Sequence, residues 1–399
     1  MQVATAAARP QDRATRLKVR RARKMARSAH AYVRGSTARF YAWLAASDGD
    51  ALPDGPPVWI CGDCHLGNLG PVADSDGRTG VEIRDLDQAV IGNPAHDLVR
   101  LGLSLACACR SADLPGVMSL RVVDMLLDGY ARAFAQRPRP PSPPDSVKAV
   151  IRRAVKRTWK QLMRDHLDHA RPRIPLGARF WPLTRREQGA IAQCLDETRL
   201  PELARQLGIA RDTEAVRVAD AAYWVKGCSS LGRPRYVVLL QVDGAAEARL
   251  AMVDIKDAPP AAAPRTGSVS MPRDNAERVV EAARALAPAL GGRMVAMRLL
   301  DRPMVARELS PQDLKIEPDQ LAPADMAALA HYLGRIVGDA HARQMSAPQR
   351  RHWHATLRRS HSRVVDAPSW LWRAIVDALA DHERGYLEHC RRHVAALVA

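Results

Sequence analysis

Two widely separated stretches hold the residues best suited to chemistry. The first is Cys61-Gly62-Asp63-Cys64-His65-Leu66-Gly67-Asn68, followed after a turn by Val81-Glu82-Ile83-Arg84-Asp85-Leu86-Asp87. Short apolar runs precede both sets of polar residues, so two strand ends deliver carboxylates and an amide into neighbouring loops. Phosphoryl transfer needs a carboxylate beside the accepting hydroxyl and oxygen ligands for Mg²⁺ on the nucleotide phosphates, because its catalysis is mostly positioning and charge neutralisation. Asn68, Asp85 and Asp87 meet the preference of Mg²⁺ for one or two carboxylates plus phosphate oxygens.

Asp63 and Asn68 stand in the D-x-x-x-x-N spacing of a kinase catalytic loop. The second stretch is Lys226-Gly227-Cys228-Ser229-Ser230-Leu231-Gly232, between two expected strands. Gly227 and Gly232, with Ser229 and Ser230 between them, let backbone approach phosphate oxygens closely. Arg233-Pro234 stands where a Walker A loop needs Lys-Ser/Thr, and a strand follows in place of a helix. Lys256 lies on the third strand, and a helix carrying Glu277 and Glu281 comes next. In a kinase that strand lysine reaches the α and β phosphates and is held by a helix glutamate. Helical spacing does not choose between the two glutamates.

Cys61 to His65 also spells C-x-x-C-H, a c-type haem attachment signature. Such attachment requires export, and the basic N-terminus has no apolar stretch behind it that would read as a secretory signal. Haem is therefore not expected. Zinc is disfavoured because the other close pair, Cys107 and Cys109, lacks the usual partner spacing. Seven scattered cysteines point to reduced thiols and a cytoplasmic location. No apolar run approaches the roughly 18 to 20 residues of a membrane span.

The net charge of +17 is concentrated in two segments. Residues 1–39 carry eleven Lys and Arg against Asp12, and residues 148–186 carry twelve against Asp165 and Asp168. Such clustering raises nucleic acid as a partner, or else marks solvated faces of Arg-rich helices. A scarcity of aromatic clusters argues against base stacking.

Helices are expected over 13–45, with a break at Arg34-Gly35-Ser36, from Pro94 to about Ala112, and over 115–135. The five prolines of Arg137–Ser146 read as a linker, followed by basic helices over 146–170, a Pro-interrupted segment, and a helix from Arg185 to about Leu207. Strands Val218–Lys226, Arg235–Val242 and Arg249–Lys256 form a meander, with a turn at Asp243-Gly244. A helix from Asp274 to Leu290, strands Met294–Leu300 and Pro303–Glu308, and helices from Pro323 onward complete the chain.

The chain resembles the bacterial family called domain of unknown function 2252, grouped with the protein-kinase-like and aminoglycoside-phosphotransferase-like fold. The resemblance covers roughly residues 20 to 345. It rests on Tyr32-Val33-Arg34-Gly35, Trp59 to Asn68, Arg84-Asp85-Leu86-Asp87, Asn93-Pro94-Ala95-His96-Asp97-Leu98, the glycine loop with Lys256, Val279-Val280-Glu281, and Gly338-Asp339-Ala340-His341-Ala342-Arg343. It implies an α+β, two-lobe kinase-like fold with a small antiparallel sheet lobe and a larger helical lobe. It also implies Asp63 as catalytic base, Asn68 and Asp85 as metal ligands, Glu281 as partner of Lys256, Arg307-Glu308-Leu309 as the hinge beside adenine, and Asp97 as a buttress of the catalytic loop. Cys61-Gly62 replaces the His-Arg of protein kinases and Asp85-Leu86-Asp87 replaces Asp-Phe-Gly, which brings the pattern nearer to small-molecule kinases. The catalytic segment precedes the nucleotide-binding strands, so the resemblance requires a circular permutation, tolerable where the old termini lie close.

The resulting division is a basic helical segment packing on the helical lobe (1–56), the catalytic-loop part of that lobe (57–136), the Pro-rich linker and basic helices (137–215), the sheet lobe (216–310) and C-terminal helices (311–399). The expected activity is ATP- and Mg²⁺-dependent phosphoryl transfer to a hydroxyl of an unidentified small molecule. A nucleotide-binding pseudokinase without turnover and a basic nucleic-acid-binding protein are the alternatives.

Overall fold

A computed structural model describes residues 8–47, 52–74, 76–135, 141–156, 173–243, 249–266, 269–309, 323–358 and 369–398. Gly244 of the expected turn, and parts of the Pro-rich linker and of the 146–170 helices, lie outside these residues. Three helices open the chain, α1 (Arg13–Met25), α2 (Ala29–Val33) and α3 (Thr37–Ala46), and Arg34-Gly35-Ser36 separates the last two as expected. Two small antiparallel pairs follow: β1 (Val58–Ile60) with β4 (Val90–Gly92), and β2 (Leu69–Ala73) with β3 (Thr79–Ile83). Helices α4 (Ala95–Ser111), α5 (Gly116–Arg132) and α6 (Asp145–Lys156) come next.

The rest alternates between sheet and helix. After β5 (Phe180–Trp181), the expected single helix divides into α7 (Arg185–Cys194) and α8 (Leu200–Gln206). Pro201 falls in the first turn of α8, where its missing N–H costs nothing. The meander forms as β6 (Ala215–Trp224), β7 (Arg235–Asp243) and β8 (Arg249–Asp257). Helices α9 (Asn275–Leu286) and α10 (Pro288–Gly291) lead to the hairpin β9 (Met294–Leu299) and β10 (Arg302–Glu308). Asp274 caps α9 by accepting the Ala276 and Glu277 N–H groups. These strands make one six-stranded antiparallel sheet in the order β5-β6-β7-β8-β10-β9. Helices α11 (Pro323–Ala342), α12 (Ala347–Arg358) and α13 (Ser369–Val398) end the chain. Among the described residues no helix is long and apolar enough to cross a membrane.

Strand alternation sorts the sheet's side chains. Tyr236, Val238, Leu240, Val253 and Ile255 pack with Ile191, Leu203 and Leu207, while Val237, Leu239 and Met252 join Phe180 and Trp224 in a separate cluster. A larger core centres on α4, α5 and α11 and takes in Val279, Val280 and Ala283 of α9, so that α9 contacts β9, β10 and β1. Backbones of α5 and α11 approach closely: a Cβ at Gly129 would collide with the His331 carbonyl oxygen. Helix α1, expected on the helical portion alone, bridges the two. Its Leu17 enters the sheet cluster and its Arg13 pairs with Glu187 at 2.7 Å, while the helix also contacts α13.

The C-terminal helix closes over the N-terminal ones. His382 donates through Nε2 to the Ala29 carbonyl at 2.8 Å and lies 5.1 Å from the Tyr32 ring. Burial holds its imidazole down at about 4, against about 6.5 in an unfolded chain. Between these values the unfolded chain binds a proton that the folded chain refuses, so stability falls as pH falls. The expected loss, up to about 3 kcal/mol, should be smaller in His382→Gln, read as a flatter decline of Tm from pH 7 to 4.5.

Candidate functional site

Helix α4 is apolar on most of its surface, and its polar exceptions hold the 61–68 loop. Asp97, Arg100 and Ser104 recur at helical spacing and are all buried, at 0%, 1% and 1% exposure. The Asp97 carboxylate accepts the Cys61 N–H at 2.7 Å and the Gly62 N–H at 2.9 Å. Arg100 donates Nε and Nη2 to Asp63 Oδ1 at 3.1 and 3.0 Å, and Nη2 also to the Val33 carbonyl at 2.6 Å. Ser104 Oγ accepts the Leu66 N–H at 3.1 Å. Gly62 takes φ +71°, and a Cβ there would collide with the Gln88 carbonyl oxygen. Burial pushes the Asp63 carboxyl up, and Arg100 opposes that rise.

Behind Asp97 runs a buried chain of hydrogen bonds. His341 Nε2 faces Asp97 Oδ2 at 3.2 Å, His341 Nδ1 lies 2.9 Å from the Tyr130 hydroxyl, and Trp353 Nε1 donates to that hydroxyl at 3.3 Å. The partners assign the tautomer: Nε2 carries the proton and Nδ1 accepts from Tyr130. His341 is thus a structural group, as a helix-end histidine commonly is, and Trp353 gains a place in the core.

Asn68 closes the loop by donating Nδ2 to the Asp85 carbonyl at 2.7 Å and the Asp63 carbonyl at 3.3 Å. This brings the two acidic segments side by side. The sheet supplies the opposite wall. Antiparallel register sets Arg235 and Val305 opposite Lys256 and Arg307 opposite Asp254, and alternation puts Asp254 and Lys256 on one face. Asp254 is completely buried and accepts from Arg235 at 2.8 Å and Arg307 at 3.2 Å. Burial works against its charge, yet these two guanidinium groups hold its carboxyl well below the usual range.

Lys256 spans the gap, donating Nζ to Asp85 Oδ1 at 2.7 Å and pairing with Asp87. Although burial disfavours the ammonium, the two aspartates keep its pKa above the ordinary value. Burial likewise resists the Asp85 charge, but Lys256 holds that carboxyl low, whereas burial and the Asp85 charge push Asp87 up. The Asp85 side chain remains half exposed, at 47%.

Two adjoining cavities share Asn68, Asp85 and Asp87. One, of about 150 Å³, is lined further by Gly227, Lys256, Arg307 and the apolar Val279, Met294 and Val305. The other, of about 140 Å³, contains Asp63, Ser229 and Ser230. Gly232 takes φ +99° but lines neither cavity. Glu308 also lines neither; its carboxylate accepts from Arg293 at 3.0 Å.

Glu281 is a correction: it lies exposed on α9, and Lys256 meets the aspartates in its place. The inward residue of that helix is Arg278, at 2% exposure. It donates to the carbonyls of Asp87 at 3.0 Å, Pro259 at 2.7 Å and Ala89, tying α9 to the acidic segment. Arg100 and Arg278 were the residues sequence reasoning missed, and each carried a signal, a cation at an apolar helix position. Cys61 and Cys64, which suggested haem, are fully buried in the core. Among the described residues no three His, Cys, Asp or Glu side chains converge as metal ligands. Mg²⁺ on a nucleotide does not require three, since phosphate oxygens and water complete its shell. The half-exposed Asp85 and the Asn68 amide beside it fit that smaller demand.

No curated protein and no solved structure matches the chain. A family model does, over residues 13–392, so the protein whose acidic loop and sheet lysine meet here belongs to the family described as "Uncharacterized protein conserved in bacteria (DUF2252)".

Proposed function

We propose that this protein is an ATP- and Mg²⁺-dependent phosphotransferase acting on a hydroxyl of a small molecule, with a kinase-like two-lobe fold in circularly permuted order and a cytoplasmic location. The observation that carries the reading is the meeting of Lys256 with Asp85 and Asp87 across a cleft that also contains Asn68 and Asp63. In this reading Lys256 leaves the aspartates for the nucleotide phosphates, and Gly227 and the loop after it lie over them. Val279, Met294 and Val305 supply an apolar wall for the base, with the 307–309 backbone as hinge. Asn68 Oδ1 and Asp85, with Asp87 behind, would hold Mg²⁺, which neutralises phosphate charge. Asp63 orients the acceptor hydroxyl and takes its proton through Oδ2, because Arg100 occupies Oδ1.

A pseudokinase remains the second reading, favoured by how firmly Arg100 engages Asp63. The nucleic-acid reading loses ground because much of the first basic segment is engaged within the chain. Arg13 pairs with Glu187, Arg39 with Asp381, Arg20 donates to the Ala178 carbonyl and Lys24 to the Gly227 carbonyl. Residues 157–172 of the second segment lie outside the described residues.

Thermal unfolding with and without Mg·ATP tests the proposal. At about 100 times its Kd, Mg·ATP should stabilise the protein by about 2.7 kcal/mol, and Lys256→Ala should abolish the shift. An unshifted wild-type Tm would exclude nucleotide binding, whereas a shift without transfer to any acceptor would favour the pseudokinase.

A further inference from the structure

Beside Asp63, the 140 Å³ cavity is walled by Arg21 and Thr37 from the N-terminal helices and by Ser229, Ser230 and Arg233 from the glycine loop and its end. Its charges divide into two groups. Each carboxylate is already paired, Asp63 with Arg100 and Asp85 and Asp87 with Lys256. Arg233 stands 3.6 Å from Asp257, a carboxylate that Arg302 also holds at 2.9 Å. For Arg21 the only hydrogen bond among the described residues is a long one, 3.4 Å, to the Gly35 carbonyl. Among those residues it forms no ion pair with the Asp63, Asp85 and Asp87 carboxylates that line the same cavity.

The frame around Arg21 is fixed. Helix α1 is pinned by Arg13 on Glu187, by Arg20 on the Ala178 carbonyl and by Lys24 on the Gly227 carbonyl. The local field is positive: burial first, then Arg20, Arg34 and Arg27, hold the Lys24 ammonium below its ordinary value. Thr37, at 7% exposure, sets its buried hydroxyl beside the Asp63 carboxyl, which it helps to hold down. A partly buried guanidinium that forms no ion pair, lining the same cavity as Asp63, calls for an anion with further oxygens.

We propose that the acceptor is a small hydroxyl compound bearing its own anionic group, a phosphate or a carboxylate, which Arg21 holds while Asp63 faces the hydroxyl. This inference rests on the phosphotransferase reading. The hydroxyl oxygen attacks the γ-phosphorus of ATP, the bond to the bridging oxygen breaks, ADP leaves, and the hydroxyl proton passes to Asp63. Arg21 is a positioning residue that touches the acceptor's remote anion.

The full-length protein with Mg·ATP labelled in the γ-phosphate is given a bacterial small-molecule extract divided on an anion-exchange resin. The retained fraction should support label transfer and the flow-through should not. Alkaline phosphatase treatment of the retained fraction before assay distinguishes the two anions, since a phosphate acceptor is destroyed and a carboxylate survives. Arg21→Gln should raise the amount of retained fraction needed for half-maximal transfer by about 10- to 100-fold, with the Mg·ATP-induced Tm shift unchanged and partial rescue by Arg21→Lys. Transfer to the flow-through, or an unaltered requirement in Arg21→Gln, overturns the inference and leaves the phosphotransferase reading standing. Transfer to neither fraction overturns both.

Discussion

Asp63→Asn should cut phosphoryl transfer by about 10²- to 10⁴-fold while leaving the affinity for Mg·ATP unchanged. The substitution keeps the shape of the side chain. Its carbonyl oxygen can retain the two Arg100 hydrogen bonds now made by Oδ1, which turns the amide nitrogen toward the cavity in place of Oδ2. That nitrogen cannot accept a proton. Arg100→Met should give a similar loss by another route, because burial already raises the Asp63 carboxyl and Arg100 opposes that rise. Without the guanidinium, Asp63 shifts toward the neutral acid, which does not serve as a base. Calorimetric titration of Mg·ATP beside a transfer assay reads both quantities. Unimpaired transfer by Asp63→Asn would remove Asp63 from the chemistry, and equal losses of binding and transfer would make it a structural residue.

The parts of the fold legible in the sequence are those written in local pattern. Runs rich in β-branched and apolar residues with turn residues between them announced β6, β7 and β8, and Asp274 at the head of an apolar-periodic run announced α9. The strands that escaped notice depend on distant partners. β5 has two residues and exists because Phe180 and Trp181 pair with Trp224 and Tyr223. β2 contains Gly70-Pro71, which reads as punctuation, yet Leu69 and Pro71 find register with Ile83 and Val81. The site shows the same division. Spacing singled out Asp63, Asn68, Asp85 and Lys256, but alternation fixes the direction of Lys256 alone, on β8. Asp63 and Asn68 lie in the 61–68 loop that Asp97, Arg100 and Ser104 of α4 hold. A helix of known residues still has a free rotation about its axis, so spacing could not say whether Glu281 or Arg278 faces inward. Packing of Val279, Val280 and Ala283 into the core decides it.

The largest loss of stability is expected at Asp97, a residue with no role in the chemistry itself. Its carboxylate meets three donors, the Cys61 and Gly62 amides and His341 Nε2, at zero exposure. Asp97→Ala strands all three. Each buried donor left unsatisfied costs about 1 to 3 kcal/mol. Against a total stability of about 5 to 15 kcal/mol, the variant should unfold at a much lower urea concentration. His341→Ala gives a smaller loss, because Asp97 keeps both amides and only the link to Tyr130 and Trp353 is cut. Amide hydrogen exchange separates the clamp from the general loss of stability. Under conditions where both chains remain folded, Cys61 and Gly62 should exchange faster in Asp97→Ala than their neighbours on β1, while in His341→Ala they stay protected. Equal acceleration across β1 and the loop would mean that Asp97 supports the core as a whole and that the loop draws its geometry from Arg100 and Ser104.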